Sequence, residues 1–295
     1  GPASHHVAHQ TMSSETSCLL CHQPHEAKQH DDIIVSQKTS VCGQCHSRGK
    51  TKAVGADGGM TQFNFPLEYL PGQDLNSSFL QSTLQNDKKK KNWWGNGVSK
   101  NRHQEFADFS ASKHAKALVN MRNKKNPHGG EKSDDCLQCH SQDYRSAPEG
   151  HKPTIETAKL GLTCVSCHEP HGADRLSSTA IRMEDKCGQC HIASFAKNEK
   201  PLDEAHFPCP SGKVTCADCH MPYIVKTGGA FSIRSHAFKI VPPEASLKYD
   251  MPNSCQNGSC HTDKTTEWAV NAYNNFYEQP AAKTLADTLK ERKGR

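Results

Sequence analysis

Cys18-Leu-Leu-Cys21-His22 opens a series that recurs along the whole chain. Cys42-Gly-Gln-Cys45-His46, Cys136-Leu-Gln-Cys139-His140, Cys164-Val-Ser-Cys167-His168, Cys187-Gly-Gln-Cys190-His191 and Cys216-Ala-Asp-Cys219-His220 follow it. Cys255-Gln-Asn-Gly-Ser-Cys260-His261 is a stretched version with four residues between its cysteines. Paired thiols serve zinc sites, disulfides and redox centres, but none of those needs a histidine directly after the second thiol. With 19 histidines in 295 residues, chance would put one after all seven second cysteines with a probability on the order of 10⁻⁸. Covalent haem attachment does need this order. Two thiols bond to the two vinyl groups of one macrocycle, and the next imidazole turns under its iron. In the stretched motif, Asn257-Gly258 is a turn pair able to loop out the extra residues. Seven haem c groups are therefore expected, with His22, His46, His140, His168, His191, His220 and His261 as proximal ligands.

Twelve histidines remain for seven opposite faces. That surplus favours bis-histidine ligation throughout over methionine, whose six copies show no consistent placement relative to the motifs. The distal candidates are His9, His25, His114, His128, His151, His171, His206 and His236. His25 and His171, three residues past a proximal ligand, cannot reach the far face of their own haem and would ligate a neighbour. His114 lies close to the apolar face of a helix expected over about 102–121. His30 and His103 read as solvent histidines, and Cys209, outside every motif, as a free packed thiol.

Composition fits this picture. Only 34% of residues are hydrophobic and 6% aromatic, with a mean hydropathy of −0.79, where globular chains are nearer half apolar. Flat apolar macrocycles would supply the missing interior. The formal charge of +5 falls to about −2 with seven ferric haems, each about −1 with its propionates, and to about −9 on full reduction. No nucleic-acid partner is inferred. No apolar stretch approaches the roughly 18 residues of a membrane span. The opening Gly1-Pro2-Ala3-Ser4 reads as a processed or tag-cleaved end.

The elements that position the motifs must be short. Residues 1–50 form an N-terminal dihaem segment, 51–126 a haem-free insert, 127–262 a five-haem segment and 263–295 a helical cap. The cap rests on Trp268, Val270, Tyr273, Phe276 and Tyr277, which fall at helical spacing. The insert holds the lysine run Lys88 to Lys91, read as a solvated surface. The fold expected is mostly irregular with short α-helices and very little β, the haem chain serving as core.

Cys164-Val-Ser-Cys167-His-Glu-Pro-His171, Cys216-Ala-Asp-Cys219-His-Met-Pro222, Arg234-Ser-His236-Ala-Phe238 and the run from Met251 to Trp268 carry a family resemblance. They resemble the multihaem c-type cytochromes of extracellular electron transfer, filament-forming ones included, with a distant similarity to nitrite-reductase-type multihaem proteins. The nitrite reductases have a lysine-ligated haem in C-x-x-C-K; no such motif occurs here, so no enzyme activity is expected. The resemblance implies an exported electron-transfer protein, extracellular or on the cell surface, with the periplasm as alternative. Two forms of that function are open. One is a head-to-tail homopolymer exchanging electrons with partner cytochromes, in which His5, His6 or His9 ligates a haem of the adjacent subunit. The other is a discrete shuttle. A reductase of nitrogen oxyanions or hydroxylamine is the remaining alternative.

Overall fold

A computed structural model of the chain describes residues 19–22, 36–55, 58–59, 63–87, 91–124, 131–168, 170, 183–191, 214–258 and 260–277. His5, His6, His9, Cys18, His25, His30, Lys88 to Lys90, His128, His171, His206 and Cys209 lie outside them.

Short helices dominate, and several are built on the motifs. Helix α1 (Thr39–His46) contains the second motif whole. A small antiparallel pair, β1 (Gly49–Thr51) and β2 (Phe79–Gln81), follows, with α2 (Leu75–Ser78) running directly into β2. Register pairs Gly49 with Gln81 and Thr51 with Phe79. Helix α3 (Glu105–Ala111) then packs on α1. That packing explains Gly43, a spacer inside the second motif. A Cβ there would lie 2.6 Å from the Phe106 ring and 3.0 Å from Leu75, closer than real side-chain contacts allow.

One helix was expected over 102–121; the structure has two, α3 and α4 (Ala117–Asn123). The break begins at buried Ser112, whose backbone turns extended while its N–H bonds the Phe109 carbonyl. The Ser112 hydroxyl accepts from the Ala115 N–H at 3.4 Å. Serine offering the backbone such a local bond is a recognised way to end a helix. His114 sits in this break.

Helices α5 (Leu137–His140) and α6 (Gln142–Ser146) carry the third motif and its continuation. Helices α7 (Met183–Gly188) and α8 (Cys216–His220) belong to motifs five and six and pack together. An antiparallel hairpin, β3 (Tyr223–Thr227) and β4 (Ala230–Arg234), turns at Gly228-Gly229. Helices α9 (Glu244–Tyr249) and α10 (Thr266–Tyr277) close the described chain. With two two-stranded sheets and short helices among the described residues, the architecture is the mostly irregular one expected.

The side-chain core is small and divided. Trp94, Val98, Ile224, Val225, Ala237, Val241, Ala245 and Met251 form one buried cluster. Leu118, Leu137 and Ala158 form another, with Met121, Tyr144 and Ile155 against it. The first joins the motif-free segment to the C-terminal hairpin. The Trp94 indole N–H donates to the Ile224 carbonyl at 3.0 Å, and Asn101 bridges in parallel to Lys226. The segment between motifs two and three is thus tied into the sheet and loops that follow motif six. No helix among the described residues is long and apolar enough to cross a membrane.

Candidate haem-binding sites

Motifs two to six each fold around a helical turn, which is what their spacing requires. In motif four the Cys167 and His168 N–H groups both bond the Cys164 carbonyl, at 3.2 and 2.9 Å. Cys190 and His191 repeat the arrangement on Cys187 at 3.2 and 2.9 Å. Three residues are close to one turn, so both cysteines emerge on one side with the histidine beside them. The spacers stabilise the turn. The Asp218 carboxylate accepts from the Thr215 N–H at 2.8 Å and from its hydroxyl at 2.9 Å. Ser166 accepts from the Thr163 N–H at 3.0 Å. Both follow the logic of a capping box.

The stretched motif has its turn where the sequence put it. Cys260 N–H bonds the Asn257 carbonyl at 3.0 Å, and Gly258 between them has φ +61°, a left-handed value that glycine takes at no steric cost. Asn257 is buried, accepting from the Tyr223 N–H at 2.9 Å and donating to the Ser254 carbonyl at 2.7 Å.

Motifs far apart in sequence meet. Arg145 of α6 donates to the Gln138 carbonyl at 3.0 Å and to Gln189 Oε1 at 2.6 Å, with Cys190 Sγ 3.8 Å away, so it joins motifs three and five. Ser166 of motif four donates to Gln142 Oε1 at 2.7 Å. Gln44 of motif two reaches the Leu20 carbonyl of motif one at 2.6 Å. Ser254 Oγ donates to the Cys219 carbonyl at 2.8 Å, joining motifs six and seven. The Cys42 thiol takes a hydrogen bond from Cys164, and this, outweighing burial, with His46 assisting, lowers it to about 7. Cys139 is pushed up to about 11 by burial and by the neighbouring Cys190.

The imidazoles are held as ligands are held. His140 Nδ1 lies 3.1 Å from the Ala117 carbonyl, and His236 Nδ1 lies 3.1 Å from that of Arg234. A backbone acceptor on Nδ1–H leaves Nε2 to present to a metal. His46 differs, because its Nδ1 faces the Glu105 carboxylate at 3.6 Å. Burial alone would raise Glu105, but His46 overrides it and holds the carboxyl at about 2, while Glu105 raises His46. His236 and His114 are both pushed down, burial being the main cause, and so are kept in the neutral form that ligates.

Two imidazoles on one metal, each with a nitrogen about 2.0–2.1 Å from it, have ring centres about 6.3 Å apart. His168 and His236 have ring centres 6.2 Å apart, and His114 and His191 6.1 Å. A ring nitrogen of His114 is also buried without a hydrogen-bond partner. Every described cysteine is unbridged, and among the described residues no three Cys, His, Asp or Glu side chains gather as a metal cage. A four-ligand zinc site fits this arrangement poorly, whereas a wide macrocycle with paired axial imidazoles fits it. His151 is exposed after α6 and takes part in none of the ring contacts between described residues.

Three contributors escape a sequence reading. His103, set aside there as a solvent histidine, has its Nδ1 3.2 Å from the Cys45 carbonyl and a left-handed φ of +63°. Glu105 is a bare acid in sequence. Phe238 packs its ring edge-on against His114 at 4.4 Å. The only signal for Phe238 was its place in Arg234-Ser-His-Ala-Phe, and for the other two there was none.

Comparison with known proteins agrees. The family model for the doubled CXXCH motif matches residues 9–51 and 151–196, and that for cytochrome c554 and c-prime matches 99–172. Multiheme cytochrome MtrA of Shewanella baltica (strain OS185) is 33% identical over 90 residues, covering 30% of this chain and 24% of that protein. The crystal structure of the outer cell wall cytochrome OcwA superposes with a TM-score of 0.70 at 30% identity. It covers 88% of this chain and 56% of OcwA. The chain thus spans about a quarter and about half of these relatives. Turn geometry, paired imidazoles and family matches converge: the chain is a multihaem c-type cytochrome.

Proposed function

We propose that the chain holds seven haem c groups, one on each paired-cysteine motif, and conducts electrons among them as a subunit of an extracellular filament. The observation that carries the conducting role is the stitching of the motifs. Gln44 of motif two reaches the Leu20 carbonyl of motif one, and Gln142, Arg145 and Ser254, each beside a motif, link the pairs three–four, three–five and six–seven. Groups held at such points would be close neighbours. When bound, haem c supplies one-electron redox chemistry between ferric and ferrous iron.

The chain's own residues keep that exchange fast by preventing rearrangement. Two thioether anchors per group fix its edge. Carbonyls on His140 and His236, and the Glu105 carboxylate on His46, hold the imidazoles in one orientation. Arg234 locks motif six from three sides. Its guanidinium donates to the Ala217 and Met221 carbonyls at 2.8 and 3.1 Å and to the Asp218 carboxylate at 2.8 Å. Histidine on both faces of each iron would leave substrate no place to bind, which favours a carrier over a reductase. The absence of a C-x-x-C-K motif supports the same reading.

The filament form is favoured by the N-terminal cluster His5, His6 and His9, which could supply a ligand to a haem of the next subunit. Head-to-tail copies and other redox cytochromes are the partners, and the cell exterior or surface is the location. Electron microscopy of the native extracellular fraction, without crosslinking, tests this. Regular filaments containing the protein are expected. Dispersed particles would make it a discrete shuttle, and a periplasmic fraction would place that shuttle inside the outer envelope.

A further inference from the structure

Phe238 stands in an unusual position. It is a bulky residue with φ +51°, a left-handed conformation that is strained for such a side chain and persists where the surroundings impose it. Its ring is edge-on to His114 at 4.4 Å, to His236 at 6.2 Å and to Phe109 at 6.3 Å. Two imidazoles that the sequence offers as unpaired distal candidates are therefore set by one aromatic wedge. Each also faces a proximal histidine at a ligand-pair spacing, His236 opposite His168 and His114 opposite His191. The two pairs differ in twist. The His168 and His236 planes are 30° apart, and the His114 and His191 planes 89° apart.

We propose that His236 is the sixth ligand of the haem on Cys164, Cys167 and His168, that His114 is the sixth ligand of the haem on Cys187, Cys190 and His191, and that Phe238 is the positioning residue that fixes both ring planes. This rests on the reading that both motifs carry haem. The twist has an electronic consequence. Nearly parallel imidazole planes split the two iron d-orbitals of π symmetry and give an ordinary rhombic low-spin ferric signal. Perpendicular planes leave those orbitals nearly degenerate and give a strongly anisotropic signal with a large maximum g. The fourth-motif haem is therefore rhombic and the fifth-motif haem of the large-g type. His220 also lies near His114, and the test separates the two assignments.

The experiment is electron paramagnetic resonance and magnetic circular dichroism on the fully matured ferric protein, with haem counted by intact mass. His114→Ala should turn one haem equivalent high-spin, remove one large-g signal and leave the haem count unchanged; added imidazole should restore low spin. Removing the fifth haem through Cys187→Ala with Cys190→Ala should delete the same signal. Deleting it through the sixth motif instead would overturn the pairing. So would a His114→Ala protein that keeps every haem low-spin. His236→Ala should remove one rhombic signal, the same one lost with Cys164→Ala and Cys167→Ala. Phe238→Leu, with haem count and low spin intact, should shift both signals; unchanged g values would remove its positioning role. Wild-type protein with no haem mass on these motifs would sink the underlying reading rather than the pairing. A variant too unstable to mature does not leave the matter open, because the wild-type spectrum must contain both signal types, and lacking the large-g type it overturns the proposal.

Discussion

Asp108 lies buried on α3 at the joint between the motif-free segment and the His236 loop, and its titration should shape the pH dependence of the whole fold. Its Oδ1 accepts from the Ser99 N–H at 3.0 Å and the Ser99 hydroxyl at 2.8 Å, and Oδ2 from the Ser235 hydroxyl at 3.3 Å. These bonds favour the carboxylate, but burial outweighs them, and Glu105 nearby adds repulsion, so the carboxyl is pushed up from 3.8 to about 6. Between those values the folded protein keeps a proton that the unfolded chain has lost. Stability therefore falls as pH rises through this window, by about 3 kcal/mol in all at about 1.4 kcal/mol per pH unit. Asp108→Asn keeps the Oδ1 acceptor for Ser99, offers Ser235 a donor in place of Oδ2, and has no proton to lose. Its stability relative to the wild type should climb by about 3 kcal/mol from pH 3.8 to pH 7. Guanidinium unfolding followed by Soret circular dichroism across that range measures the difference, and propionate titrations common to both proteins cancel. The infrared carbonyl band of a protonated carboxyl at pH 5 should be weaker in the variant. A difference flat to within about 1 kcal/mol, with no change in the band, would refute the placement of Asp108 as a buried, proton-retaining acid.

Other substitutions probe other links. Gly43→Ala should destabilise by about 1–3 kcal/mol, because its Cβ meets Phe106 and Leu75. Glu105→Gln removes the charge facing His46 and should raise one midpoint potential in spectropotentiometric titration, since a carboxylate on Nδ1–H makes the ligand more basic; an unchanged set of potentials would contradict the contact. The same substitution should lessen the loss of stability in acid. Glu105 is depressed, so its contribution is complete above about 4.5 and is lost as pH falls towards about 2. Trp268 packs on His261 with ring centres 4.9 Å apart, and Trp268→Ala should perturb the spectrum of the seventh-motif haem alone.

Attachment chemistry was legible because it is local. Two thiols and an imidazole on one helical turn are a sequence pattern, and the turn forms from its own backbone bonds and spacer caps, as at Thr215 and Asp218. The scarcity of sheet was legible too, since connections so short leave little room for it. What failed was anything set by packing across long separations. The helix expected over 102–121 breaks because Ser112 is buried where its hydroxyl can hold Ala115, and nothing in the hydrophobic spacing reveals that. Glu105 meets His46 only through the docking of α3 on α1. His103 met the eye as a surface residue because its neighbour is Cys45, 58 positions away. Likewise the partner of each distal histidine is a matter of tertiary placement, so sequence could supply candidates such as His114 and His236 without saying what they face.

The central claim is that all seven motifs, the stretched one included, carry covalent haem. Intact mass spectrometry of the protein matured in a host able to attach haem c, followed by proteolysis, tests it most directly. The expected result is the polypeptide mass plus seven haems, with a haem-bearing peptide spanning Cys255 to Cys260. Six haems with both of those thiols free would contradict it, and would show that the Asn257-Gly258 turn does not bring the last pair into register.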